Sequence, residues 1–297
     1  MQSFKNISRG DKVFTILVTV VLTLFFISVL YPCIFVLSAS FSSGKAVQSG
    51  RVVLLPVEFS LEGYKTVFNT PTIWTGYRNS IVYTVCGTVI NLVMTILAAY
   101  CLSRHDLPGR GGIMLAFTFT MFFNGGLIPM YMQVDRLHLL NNPLSLMLPG
   151  AISVYNMIVA RTFISNSIPK ELLEASQIDG CSDIRYLINI VLPLSKAIIA
   201  VLTLFYAVGH WNSYFNAMIY LHDKGKYPLT LFLREMLMMS NIDPSTVSDP
   251  ELQARLADMV AVIKYALIVV SVVPVLVIYP FVQKYFVTGV MIGSVKG

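Results

Sequence analysis

Six apolar runs of twenty residues or more, each poor in charge, set the terms on which this chain can fold. They extend approximately from Phe14 to Leu37, Tyr77 to Leu102, Ile113 to Met132, Leu144 to Ile164, Ala197 to Tyr220 and Val260 to Phe286. A hydrocarbon layer about 30 Å thick is crossed by roughly 20 helical residues, and lipid offers the backbone no hydrogen bonds. Each run is therefore expected to be a transmembrane helix. Composition agrees, with 56% hydrophobic and 12% charged residues, against about 25% charged in soluble domains. The expected fold is all-α and integral to the membrane, with residues 1–297 forming a single transmembrane domain. The first run follows Lys5, Arg9 and Lys12, as the apolar part of a signal peptide would. It is long for that role and lacks a small-x-small cleavage site, so it reads as a retained helix.

Basic residues near helix ends orient such a chain. With the N-terminus inside, the inner segments hold 11 Lys or Arg and 6 Asp or Glu, and the outer segments 10 and 9. The bias places both termini in the cytosol. The net charge of +6 then reflects topology rather than a nucleic-acid surface.

Motifs for chemistry are missing. Cys33, Cys86, Cys101 and Cys181 are scattered without metal or redox spacing, and His105, His138, His210 and His222 form no ligand pattern. Ser42-Ser-Gly-Lys45 matches S-x-x-K with no companion motif. No G-x-x-x-x-G-K-[ST] is present to cradle a nucleotide. Neither a catalytic site nor a metal site is expected, and any energy source lies in another chain.

The loops show where partners meet the protein. The outer loops, about 38–76 and 221–259, exceed ordinary connection lengths. Within the second, Pro228 to Met239 reads as an amphipathic helix, followed by polar turn material at Asn241 to Pro250. They are either solvated linkers or a surface for an external protein. Inside, Ser103 to Gly112 is a tight basic turn, and 165–196 is patterned as two short helices. Pro169 suits a first helical position, Gly180 can end the helix at φ > 0, and Ser182 or Asp183 can cap the next one. The second helix leads through Tyr186, Leu187 and Ile190 to Pro193.

Glu174-Ala175-Ser176, then Gly180, then Ile190-Val-Leu-Pro193 resembles the E-A-A-x-x-x-G-x(9)-I-x-L-P loop of the permease subunits of ATP-binding-cassette (ABC) importers. Ser176 departs from the pattern, a small-for-small change. The Phe122 to Tyr131 segment, Trp211-Asn212 and the Met291 to Gly297 terminus are similar to the carbohydrate permeases of the maltose-transporter type, and to the subgroup handling oligosaccharides from polysaccharides. The resemblance implies the type I importer fold, no cofactor on this chain, and ATP with Mg on partner ATPases. It implies a second homologous permease, two cytosolic ATPases and an extracytoplasmic solute-binding protein. In that family the loop helix docks in a groove on the ATPase. Leu172, Leu173 and Ile178 are then the apolar anchors, Glu174 the charge, and Ala175 and Gly180 the close-approach positions. Ser176, Asp179, Ile190 and Pro193 complete the coupling segment. The Gly293 to Gly297 tail either reaches the ATPase interface or frays.

A translocation path needs polar residues on shared helix faces. Ser80, Thr84, Thr88, Asn91 and Thr95 form such a stripe, Gly209, Asn212 and Asn216 another beside Trp211 and Tyr214, and Ser153 and Asn156 add to it. Asn beside Trp or Tyr suits a saccharide. Helix-to-helix hydrogen bonding accounts for the same residues without a ligand. Asn124-Gly-Gly126 with Pro129 either breaks the third run or makes a packing notch. Arg78, Arg136 and Lys264 suit uronic sugars or simple snorkelling. A secondary carrier or a membrane enzyme would instead need mid-membrane ionisable groups, internal repeats or clustered catalytic side chains. Only His210 lies deep in a run, and no repeat is visible.

Overall fold

A backbone that finds no partner in lipid must pair with itself, and in the computed structural model the described residues form helices and turns without strands. The structure describes residues 8–239, 258, 260–277 and 280. In order, the helices are α1 (Arg9–Ser40), α2 (Gly44–Gln48), α3 (Glu62–Asn69), α4 (Pro71–Ser103), α5 (Arg110–Phe122) and α6 (Leu127–Arg136). Then come α7 (Val154–Ser167), α8 (Lys170–Ile178), α9 (Asp183–Leu194), α10 (Lys196–Trp211), α11 (Phe215–Tyr220), α12 (Leu229–Met239) and α13 (Val260–Val277).

Three of these, α1, α4 and α13, are long and apolar enough to cross a membrane unaided. The pairs α5/α6, bent by 114°, and α9/α10, bent by 83°, bring the number to five if each pair is one span. The first two runs are longer than expected. Ser8 accepts the Asp11 amide to cap α1, and Pro71 opens α4. The third run breaks at Phe123 to Gly126, where Asn124 accepts from the Gly126 amide at 3.0 Å. Gly126 sits at φ 82° and ψ −174°, a region open essentially to glycine alone. The fourth run differs most. Pro143 confines the chain to a 3₁₀ turn at Pro143–Leu146, and Pro149-Gly150, with Gly150 at φ 76°, turns it again. Only then does Ser153 cap the 14-residue α7. The fifth run breaks at Asn212 to Tyr214. The end of the sixth run, the Asn241 to Pro250 turn and the Met291 to Gly297 terminus lie outside the described residues.

Two compact units emerge, 1–70 with 235–272, and 71–234 with 273–297. In the first, Ala39, Ala46 and Val52 form a small core with Phe35, Val57 and Tyr265. Gly63 lets α3 close on α13, since a Cβ there would stand 2.7 Å from Val262 Cγ1 and 2.8 Å from its carbonyl. The most apolar stretch of α1 buries nothing against its own chain.

In the second unit α4 is central, packed by α10 and α7. Its core joins Ile96, Ala99 and Leu102 of α4 to Met157 and Ala160 of α7, Leu187 and Val191 of α9, and Leu202 and Tyr206 of α10. Among lipid tails such contacts gain little from the hydrophobic effect, so close fit carries the association. Gly87 shows how close the fit is, since a Cβ there would lie 2.5 Å from the His210 ring.

Candidate coupling site and translocation path

The segment from Pro169 to Leu194 is an elbow of two helices, α8 and α9, joined at Asp179 to Ser182. Pro169, extended at ψ 141°, leads into α8, whose end is a complete Schellman closure. The Cys181 amide donates to the Ser176 carbonyl at 2.9 Å and the Gly180 amide to Gln177 at 3.0 Å, with Gly180 left-handed at φ 69°. Ser182 then caps α9 by accepting from the Arg185 amide. Gly180 and Ser182 thus act as the sequence predicts, while Pro169 stands one position before the helix.

The faces of α8 divide cleanly. Ser176 is buried, its hydroxyl donating to the Leu173 carbonyl at 2.7 Å. Leu173 is half-buried against the core, as are Ile190 and Leu192. Outward, Glu174, Ala175 and Ile178 share one exposed face, with Ile178 87% exposed and Leu172 38%. Asp179 and Gly180 are exposed at the tip. Pro193 follows a π turn at Leu187–Val191, a wider winding than the α-helix, and the chain bends at Ser195.

The C-terminal end of α4 holds this elbow. The Arg104 guanidinium donates to both carboxylate oxygens of Asp106, to the Tyr100 hydroxyl at 3.1 Å, and to Asp183, the first residue of α9. These carboxylates hold Arg104 well above its ordinary pKa, Asp106 foremost. In return the hydrogen bonds from Arg104 push Asp106 down to about 2. Arg161 of α7 donates to the Leu102 carbonyl at 3.0 Å, and Arg110 to the Arg104 carbonyl at 3.3 Å. Cations thus occupy carbonyls at the end of α4, where the helix dipole is negative. Neighbouring His105 is pushed down, chiefly by Lys170. Sequence reading reduced 103–112 to a basic turn and missed Arg104. Its partner Asp183 is 79 positions away, and no local pattern announces that pairing.

The polar stripe of α4 faces inward. Ser80 accepts the Leu229 amide at 2.9 Å. Asn91 donates to the Gly150 carbonyl at 3.3 Å and pairs with His210 Nε2 at 2.8 Å. Thr95 pairs with the Tyr206 hydroxyl at 2.6 Å, and Tyr206 also accepts from the Ser153 amide. The Thr84 and Thr88 hydroxyls are buried and have no partner among the described residues. Asn156 is buried at the start of α7, and Trp211 is buried with its ring 6.1 Å from Tyr77. Outward, α4 shows Ile81, Val85, Val89, Val93 and Leu97 at four-residue steps, all exposed. At the α10/α11 break Asn212, Tyr214 and Asn216 are exposed. Asn212 Nδ2 donates to the Val208 carbonyl at 3.0 Å, and Arg234 lies 6.0 Å from the Tyr214 ring centre. The structure therefore brings Thr84, Thr88, Asn91, Asn156 and Trp211 into the interior and leaves the other three candidates at the break.

Apolar helices joined to a charged elbow describe a membrane-integral protein. No protein-family model matches the sequence. The polygalacturonan/rhamnogalacturonan transport system permease protein YtcP of Bacillus subtilis is 40% identical over 97% of this chain and 99% of its own. Protein LplC of the same organism is 39% identical over 90% and 89%. The crystal structure of a bacterial ABC transporter involved in the import of the acidic polysaccharide alginate superposes with TM-score 0.85 at 36% identity, covering 94% of this chain and 99% of that one. The chain belongs to the permease subunits of sugar ABC transporters. It is a non-catalytic, membrane-integral subunit, and membership implies ATPase, binding-protein and permease partners in general.

Proposed function

We propose that this chain is one of two homologous permeases of an importer for uronic oligosaccharides, driven through α8 by one of two cytosolic ATPases and supplied by an extracytoplasmic solute-binding protein. Both termini are cytosolic in this reading. The carrying observation is the outward face of α8, where Ile178 is 87% exposed on a helix closed at its C-terminal end and turned inward through Ser176 and Leu173. An isoleucine held in solvent one turn from Glu174 has the form of a helix-in-groove contact. ATP and Mg bind the partner, and no cofactor binds here.

The acidic substrate class is supported by the names of two relatives, one a transporter of polygalacturonan and rhamnogalacturonan, the other of alginate. Exposed Arg78 and Arg136, and Arg234 beside Tyr214, give this chain cations to meet a carboxylate. The test is the assembled transporter in lipid nanodiscs with its binding protein, its ATPase assayed against unsaturated oligogalacturonates, oligoalginates and neutral malto-oligosaccharides. Stimulation by uronic chains is expected. Stimulation by neutral sugars alone would remove the acidic specificity, and stimulation by peptides but no sugar would overturn the whole reading.

A further inference from the structure

We propose that Arg104 is the positioning residue that ties the elbow to α4, so that force received on α8 moves the helix core as one body. The inference rests on the reading of α8 as the force input and adds the joint that transmits it. Arg104 follows the last residue of α4, and its side chain is only 13% exposed. Two of its partners, Tyr100 and Asp106, are local. They fix the fork of the guanidinium, leaving Nη1 aimed at Asp183, the sole partner of Arg104 that lies on the elbow among those described.

A second contact follows the same line. The Tyr100 hydroxyl donates to the Asp183 carbonyl at 3.4 Å, and its ring lies 6.3 Å from that of Tyr186 one turn further along α9. The first turn of α9 is thereby held by side chain and backbone to one point on α4. The remaining elbow contacts, through buried Leu187 and Val191 and half-buried Leu173, Ile190 and Leu192, are apolar and resist separation more than sliding. A planar, multidentate cation supplies the direction that they lack, and an ammonium in its place would lose the fork.

The experiment uses the complete transporter in nanodiscs, with basal and sugar-stimulated ATP hydrolysis measured and assembly checked by co-purification of the ATPase. Asp183→Asn is expected to assemble, keep basal hydrolysis and lose about two- to fivefold in stimulation, the scale of a charge pair with one partner largely in solvent, Asp183 being 68% exposed. Arg104→Met is expected to do the same and Arg104→Lys to fall between. The double variant Arg104→Met with Asp183→Asn is expected to lose no more stimulation than Arg104→Met alone, because both changes break the same bond, whereas two independent packing defects would add. Should Arg104→Met fail to assemble, Asp183→Asn decides. Full stimulation in Asp183→Asn, beside its loss in Glu174→Lys, would overturn the joint alone. Full stimulation in Glu174→Lys would remove α8 as the input and the joint with it.

Discussion

Gly180 offers a perturbation whose size follows from the backbone alone. At φ 69° it is left-handed, and an added Cβ would meet no heavy atom within 4 Å. Gly180→Ala therefore introduces no clash, only the cost of holding an L-residue in that region, about 1–2 kcal/mol. That cost corresponds to the Schellman turn opening roughly 5 to 30 times more often. The amides that report opening are Cys181, bonded to Ser176, and Gly180, bonded to Gln177. Hydrogen exchange on peptides covering 174–186 should thus speed by that factor in Gly180→Ala. Gly180→Asn should change less because Asn tolerates the conformation, and Gly180→Pro should change most because it also deletes a donor. Sugar-stimulated ATPase should decline in the same order, with insertion unaffected. Wild-type exchange in Gly180→Ala, or a loss of stimulation that ignores this order, would refute the argument.

Other outcomes follow from the interior. Gly87→Ala forces a Cβ to within 2.5 Å of His210 and should lower the melting temperature in detergent, with partial recovery when His210→Ala is added. Leu202 is fully buried, so Leu202→Ala should destabilise by about 2–5 kcal/mol in reversible denaturation. Asn91→Leu leaves His210 Nε2 without its partner and should cost about 1–3 kcal/mol in the same assay. For Asp106 the folded pKa of about 2 lies below the ordinary 3.8, so its contribution is complete above 3.8 and is lost only as pH falls toward 2. Carboxyl ¹³C NMR should show that titration moving back toward 3.8 in Arg104→Met.

The elbow was readable because its signals are local. Pro169, Gly180 and Ser182 each act within a few residues, and the Asn124-Gly-Gly126 break has the same character. The helix at Pro228 to Met239 was equally visible in its pattern. The run at Leu144 to Ile164 misled because hydropathy counts methylenes, not dihedrals, and Pro143 and Pro149-Gly150 break the helix at no cost in apolarity. The π turn at Leu187–Val191 has its trace in Pro193, which lacks the N–H for an i→i−4 bond, but the sequence does not say that the chain answers with a π turn and a bend at Ser195. Periodicity found the polar stripe of α4 but could not say which way it faces. That depended on Tyr206, His210 and Gly150, which lie 59 to 119 positions away from their partners. The meeting of Arg104 with Asp183 is of the same kind.

The inside-out construction of α4 has a consequence for how such a transporter changes cargo. Its hydroxyls and amides are turned toward neighbouring helices, and its outer surface is a ladder of valine, isoleucine and leucine. Apart from the buried Thr84 and Thr88 hydroxyls, which have no partner among the described residues, these groups are bonded within the protein, and the apolar outer ladder is indifferent to the arrangement of hydroxyls on anything beside it. A lineage could then trade one polysaccharide fragment for another by altering the exposed break at 212–216 and the partner subunits, leaving this helix as inherited scaffolding.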